Sequence, residues 1–219
     1  MIPGEPPPEI PPPGVPWHPR RQPDHPDPTP APRVPVVPVL EPAPSDDPVE
    51  ALRRDRRLLL MGTLDRAAAD HLCAELMLAD GRSGDPVELT INSPGGPVDA
   101  LPAVLDVIGL LRAPLRTRCI GSATGTAAVV LASGTAGRSA TPRATISLRL
   151  DGGHVIEGRV DDIRHGAAHV SDLWRRIAEH VAAVSRLTQD EAATALRDGS
   201  RLSVSDALAA GLIDAVAGR

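Results

Sequence analysis

The stretch Thr90-Ile91-Asn92-Ser93-Pro94-Gly95-Gly96-Pro97-Val98-Asp99 restricts this chain more than any other. Proline fixes φ and lacks a donor, and paired glycines allow positive φ and close backbone approach. Pro94-Gly95-Gly96 therefore reads as a tight turn closing the strand Val87-Glu88-Leu89-Thr90-Ile91. Such a turn, bare of side chains, lets another backbone or a ligand come near. The run from Cys119 to Gly134 is dominated by Gly, Ala, Ser, Thr and Val. It reads as a strand end, a turn at Gly121 and a helix of small residues, whose first amides point at whatever lies above.

Around this centre the apolar periodicity switches repeatedly between two and 3.6. Residues 57–62 read as a buried strand, followed by a helix from about Asp65 to Ala79 that presents Ala68, Leu72, Leu76 and either Leu78 or Ala79. Pro97 to Leu111 reads as a helix with Leu101, Val104, Leu105, Ile108 and Leu111 on one side. A strand from Leu115 to Ile120, short strands within 137–141 and 144–150, a turn at Asp151-Gly152-Gly153-His154 and a long helix from about Val160 to Val184 come next. Thr188-Gln189-Asp190-Glu191 and Ser203-Val204-Ser205-Asp206 open two more helices, the second ending at Gly211. Strands alternating with helices give an α/β fold with a parallel sheet covered on its faces.

Composition divides the chain. The first 48 residues hold 19 of the 25 prolines, a density that forbids helix and ladder. Residues 1–50 are expected to be a disordered or polyproline II tail, and 56–217 the folded domain. The chain has no Phe, Tyr or Lys, so the core must be built from Leu, Val, Ala and Ile. The net charge of −5 excludes nonspecific binding of nucleic acid, which needs a basic surface. No apolar run reaches the roughly 18 residues of a membrane span, and no charged-then-apolar leader is seen; a cytoplasmic protein is expected. Cys73 and Cys119 lie far apart and read as small core residues. His165, His169 and His180 share the long helix at spacings of four and eleven without a carboxylate pattern of metal-ligand type, which favours solvated or interfacial roles. No metal or cofactor is expected, and Trp174 reads as a core or interface anchor.

Four blocks together resemble the ClpP family, the proteolytic subunits of ATP-dependent Clp proteases, within the ClpP/crotonase fold group. They are Ile91-Asn92-Ser93-Pro94-Gly95-Gly96, Cys119-Ile120-Gly121-Ser122-Ala123, Leu131-Ala132-Ser133-Gly134, and Ser203 through Asp214. The resemblance covers roughly residues 56–217. It implies a fold of repeated β-β-α and βαβ units, with residues 160–184 as the handle helix that interlocks two rings. It also implies a serine-peptidase triad, an oxyanion hole, assembly with ClpP-type subunits of the same or another kind, and docking of an AAA+ unfoldase.

The residues at the implied catalytic positions do not match the family. Its nucleophilic serine falls on Gly125, and its general-base histidine on Arg149, which stays protonated and accepts no proton from a hydroxyl. The triad aspartate falls on Asp198 if one residue is inserted, or on Gly199 if the alignment is anchored at Thr188. An aspartate with no histidine to orient has no triad role. The oxyanion-hole amides fall on Gly96 and Thr126 and need no particular side chain. The aromatic positions of the unfoldase pocket fall on Glu88, Thr90 and Leu110, and losing such anchors weakens docking.

Three functional readings follow. The leading one is a catalytically degenerate ClpP-type subunit with a structural or regulatory place in a ring of active paralogues. A second is an active serine endopeptidase with a rearranged site, using Ser122 or Ser147 and His154. The third is crotonase-like acyl chemistry on the amides of Gly96 and Thr126, with Asp151, Asp99 or Asp198 as acid or base.

Overall fold

The structure, a computed structural model, describes residues 47–151 and 160–218. The tail through residue 46 and His154 lie outside the described residues. Six strands form one sheet: β1 (Arg57–Thr63), β2 (Val87–Gly95), β3 (Leu115–Thr124), β4 (Arg138–Ala140), β5 (Thr145–Ser147) and β6 (Ala215–Val216). Every pairing between them is parallel, in the order β1-β2-β3-β4-β6. Strand β3 has two neighbours on one side, because Thr117–Cys119 pair with β4 and Ser122–Thr124 with β5. The chain is thus α/β, with the parallel sheet that the βαβ rhythm implies.

Helices α1 (Pro48–Arg54), α2 (Arg66–Arg82), α3 (Leu101–Leu110), α4 (Thr126–Ala132), α5 (Val160–Val184), α6 (Gln189–Asp198) and α7 (Val204–Ala209) complete the described elements. Helix α1 lies ahead of the boundary expected at residue 56. Proline is tolerated at a first helical position, and the Asp47 side chain accepts from the Val49 amide at 2.9 Å, so Pro48 opens a helix there. Arg53 then ties α1 to Glu75 of α2. Both expected capping boxes form, Thr188 with Glu191 and Ser203 with Asp206.

The core is aliphatic, as a chain without Phe or Tyr requires. Leu72, Leu76 and Ala79 of α2 are buried as expected; Ala69 takes the place of the half-buried Ala68, and Leu78 faces solvent. All seven residues of α4 are buried. Only small and β-branched side chains, with one Leu, let a helix enter the middle of the fold at this depth.

Two turns expected from glycine are instead strand. β2 runs on through Pro94 to Gly95, which pairs with Thr63 of β1 after a register shift. β3 runs through Gly121 to Thr124, with a register shift against β2 between Ile91 and Ser93. Asn92 fills that irregularity, its Oδ1 accepting from the Ser122 amide at 3.2 Å. The positive φ at Gly95 and Gly121 kinks the strands without reversing them. The helix expected from Pro97 starts as a 3₁₀ turn, Val98–Ala100, before α3.

Candidate active site

The carboxyl ends of β2, β3 and β5 converge on Gly125, the single residue between β3 and α4. It has φ 57° and ψ −124°, a conformation strained for any residue with a Cβ. Its N–H donates to the Ser147 carbonyl at 2.8 Å, and its carbonyl accepts from the Ala128 and Val129 amides at 3.0 and 3.2 Å. A sharp strand-to-helix elbow of this kind displays a nucleophile above a sheet. Here it displays a hydrogen atom.

Above the elbow lies an open cavity of about 390 Å³, whose lining includes Pro94, Gly96, Gly125, Arg149 and Gly199. Arg149 is exposed and has no hydrogen-bonding or ion-pair partner among the described residues. Gly199 is in the wall and Asp198, an exposed residue at the end of α6, is not. The cavity therefore brings together Gly125, Arg149 and Gly199 and leaves Asp198 outside.

The amide cradle is altered as well. The Gly96 N–H, expected to remain an open oxyanion donor, donates to the Thr126 Oγ1 at 2.9 Å. Thr126 is fully buried, and its hydroxyl in turn lies 3.4 Å from the Gly96 carbonyl as donor to acceptor. This reciprocal pair replaces the donor's availability to a ligand, since one N–H makes one good hydrogen bond. The side chain at position 126, and not the backbone, decides this.

The other candidates separate. The Ser122 hydroxyl lies 3.4 Å from Asn92 Oδ1, and Ser122 does not line the cavity. Ser147 and Asp151 do line it. Asp99 is exposed and faces Arg66 at 3.8 Å, away from the cavity lining.

One close serine–histidine pair was not legible in the sequence: Ser133 Oγ and His180 Nε2 are 2.8 Å apart. Ser133 Oγ also donates to the Val129 carbonyl at 2.7 Å. A hydroxyl has one proton, so His180 must donate through Nε2–H and cannot act as the base toward Ser133. Burial pushes the His180 pKa down, in keeping with a neutral imidazole. The pair joins the end of α4 to α5; His165 and His169 on the same helix are exposed. Among the described residues no group of three or more His, Cys, Asp or Glu could hold a metal, and no helix is long and apolar enough to cross a membrane.

The model of the Clp protease family matches residues 42–219. The chain is 34% identical over 178 residues to ATP-dependent Clp protease proteolytic subunit 3 of Nocardia farcinica, covering 78% of each chain. It is 34% identical over 178 residues to proteolytic subunit 1 of Mycolicibacterium paratuberculosis, covering 78% of this chain and 82% of that one. To proteolytic subunit 2 of Streptomyces coelicolor it is 30% identical over 172 residues, covering 78% and 79%. The chain belongs to the Clp protease family.

Within this Clp protease fold, the positions expected to carry the aromatic docking residues hold different chemistry. Glu88 of β2 lies 3.0 Å from Arg118 Nη1 of β3, and Thr90 is the register partner of Arg118. Leu110, at the end of α3, is 80% exposed. An ion pair thus crosses the sheet surface at one of the positions where the resemblance implies an aromatic anchor and where the sequence has Glu88 instead. A separate groove of about 620 Å³ runs between α5 and α6 and contains Trp174, Val170, Ala193 and Leu196. It shares no residue with the elbow cavity, and half-buried Trp174 lines it.

Proposed function

We propose that this chain is a non-hydrolytic subunit of a Clp-type protease assembly, occupying a structural or regulatory place beside active paralogues. What supports this best is the elbow cavity, lined by Gly125 and Arg149, which the family resemblance puts at the nucleophile and base positions, and by Gly199, one of the two residues it offers for the aspartate. Acyl transfer needs a nucleophile, a group to take its proton and donors for the developing oxyanion. The first two have no occupant at those positions, and the Gly96 donor is bonded to Thr126. The same bond weighs against acyl chemistry of the crotonase kind, which depends on that donor pair.

Family membership supports oligomeric assembly and a relation to Clp ATPases in general. The Glu88–Arg118 pair in place of aromatic anchors favours recruitment of the ATPase through neighbouring subunits over direct docking on this one.

The test is labelling of the purified, folded protein with a fluorophosphonate and a β-lactone probe, with Ser122→Ala and Ser147→Ala as controls. No site-specific labelling is expected. Labelling that either replacement abolishes would refute the proposal. Isolation of the tagged chain from its host with stoichiometric ClpP-type subunits tests the assembly, and recovery only as a monomer would refute that part.

A further inference from the structure

The walls of the elbow cavity carry charged groups with no partner among the described residues. The antiparallel bridge between Ile146 and Leu202 lays residues 199–201 beside 147–149. That bridge places Arg149 and Arg201 in one cavity wall, together with Ser147, Ser200, Thr124 and Asp151. Neither arginine has an ion-pair or hydrogen-bonding partner among the described residues, and Asp151 is the one carboxylate in the lining. Formal charge in the wall is therefore net positive.

Ser147 adds a neutral donor to the wall. It is only 4% exposed, it lines the cavity, and its hydroxyl makes no hydrogen bond to any described residue. Among the described residues only Glu88 Oε1 is a buried side-chain oxygen or nitrogen without a hydrogen-bond partner, so the Ser147 hydroxyl opens to the solvent of the cavity. A hydroxyl open to a cavity beside two guanidiniums that pair with no described residue points to a ligand rich in acceptor atoms.

We infer that the elbow cavity binds an oxyanion, with Arg149 and Arg201 as the charged partners and Ser147 as a neutral donor. Guanidinium groups match carboxylate and phosphate in geometry and stay charged at any relevant pH. The volume distinguishes the sources. A cavity of about 390 Å³ holds roughly a dozen waters at about 30 Å³ each, far more than one small ion fills. The terminal carboxylate of a short peptide is the favoured source and free phosphate the other. The choice of peptide rests on the proposed non-hydrolytic reading of this Clp-type site. Arg149, at the position of the base, thereby holds a peptide end where relatives of the family pattern would use a histidine.

The experiment titrates the full chain with three probes: an N-acetylated tri-alanine with a free carboxylate, the same peptide as its carboxamide, and inorganic phosphate. Calorimetry reads the binding, and circular dichroism confirms that each variant is folded. Expected is saturable binding of the acid, at least tenfold weaker binding of the amide, and at least a tenfold loss in both Arg149→Gln and Arg201→Gln. Ser147→Ala should weaken binding several-fold, and Arg143→Gln, on the surface outside the cavity, should leave it unchanged. Phosphate binding with the same arginine dependence, and no peptide binding, would keep the oxyanion site and assign it to the free ion. Equal binding of acid and amide, an Arg149→Gln response no larger than that of Arg143→Gln, or no saturable binding of any probe would overturn the inference. Chromatography of the incubated peptides separates the two proposals: fragments would refute the non-hydrolytic reading, whereas the binding comparison is made before turnover.

Discussion

Replacing Gly125 by alanine or by serine tests whether the elbow is held in its strained conformation when no nucleophile is displayed on it. At φ 57° and ψ −124° a side chain pays a backbone cost of about 1–3 kcal/mol. A Cβ there would also lie 3.1 Å from the Arg149 carbonyl oxygen, a contact that shifts β5's continuation by a few tenths of an ångström. Against this, losing glycine stiffens the unfolded chain and returns about 0.4–1 kcal/mol. The net expectation is a loss of about 1–2 kcal/mol, equal for Ala and Ser because the Cβ and not the hydroxyl causes it. Urea unfolding at fixed protein concentration measures it as a lower midpoint with unchanged slope. A Gly125→Ala variant as stable as the parent, or more so, would refute the claim that backbone geometry here is imposed by the surrounding fold. Gly125→Ser should also remain inactive toward peptides and unlabelled by fluorophosphonate, because Arg149 cannot take the serine proton.

Arg138 donates to both Asp214 carboxylate oxygens, at 3.0 and 2.6 Å, and to the carbonyls of Ala132 and Val184 at the ends of α4 and α5. Arg138→Met should cost about 2–4 kcal/mol, whereas Asp214→Asn, at a half-exposed carboxylate, should cost well under half of that in the same urea assay. The lowered pKa of buried His180 makes stability pH-dependent. Below about 6.5 the unfolded chain binds a proton that the native imidazole resists, so stability falls as the pH drops through that value. The fall levels off once the native His180 also protonates, and His180→Asn should flatten the slope between pH 7.5 and 5. Cys119 is fully buried and its thiol is pushed up to about 11; it should react with a disulfide reagent at pH 8 only on unfolding, while half-buried Cys73 reacts in the native protein.

Much of the fold was legible because it rests on periodicity and punctuation. The strands at Arg57, Val87 and Leu115, the apolar faces of α2 and α3, and the capping boxes at Thr188 and Ser203 all follow from local sequence. What was misread depends on contacts between distant segments. Whether Pro94-Gly95 turns or continues as strand is decided by the approach of β3, and whether Pro48 ends the tail or opens a helix by Asp47 and Glu75. At the site, the family resemblance put Gly125 and Arg149 at the nucleophile and base positions, and both line one cavity. It left Asp198 and Gly199 open for the aspartate, and which of the two lines the cavity turns on how the end of α6 meets β5. The bond from Gly96 to Thr126 was not legible, because position 126 matters through a hydroxyl direction that only the elbow geometry sets.

The Pro-Gly-Gly stretch that carries the family resemblance has a reason to exist here that owes nothing to catalysis. A Cβ at Gly95 would collide with the Thr124 carbonyl oxygen, and one at Gly96 with that of Leu64. Both glycines are therefore demanded by the packing of β2 against β3 and against the chain that enters α2. Close packing of backbone on backbone leaves no flexible side chain to yield, so Gly95→Ala and Gly96→Ala should each destabilise by about 2 kcal/mol or more. Gly125→Ala, whose Cβ meets only one carbonyl at 3.1 Å, should be milder. If the stretch were instead retained for an oxyanion hole, Gly96→Ala would leave the urea midpoint close to the parent's. A small effect at both Gly95 and Gly96 would therefore return the motif to chemistry, and a large one assigns it to the fold.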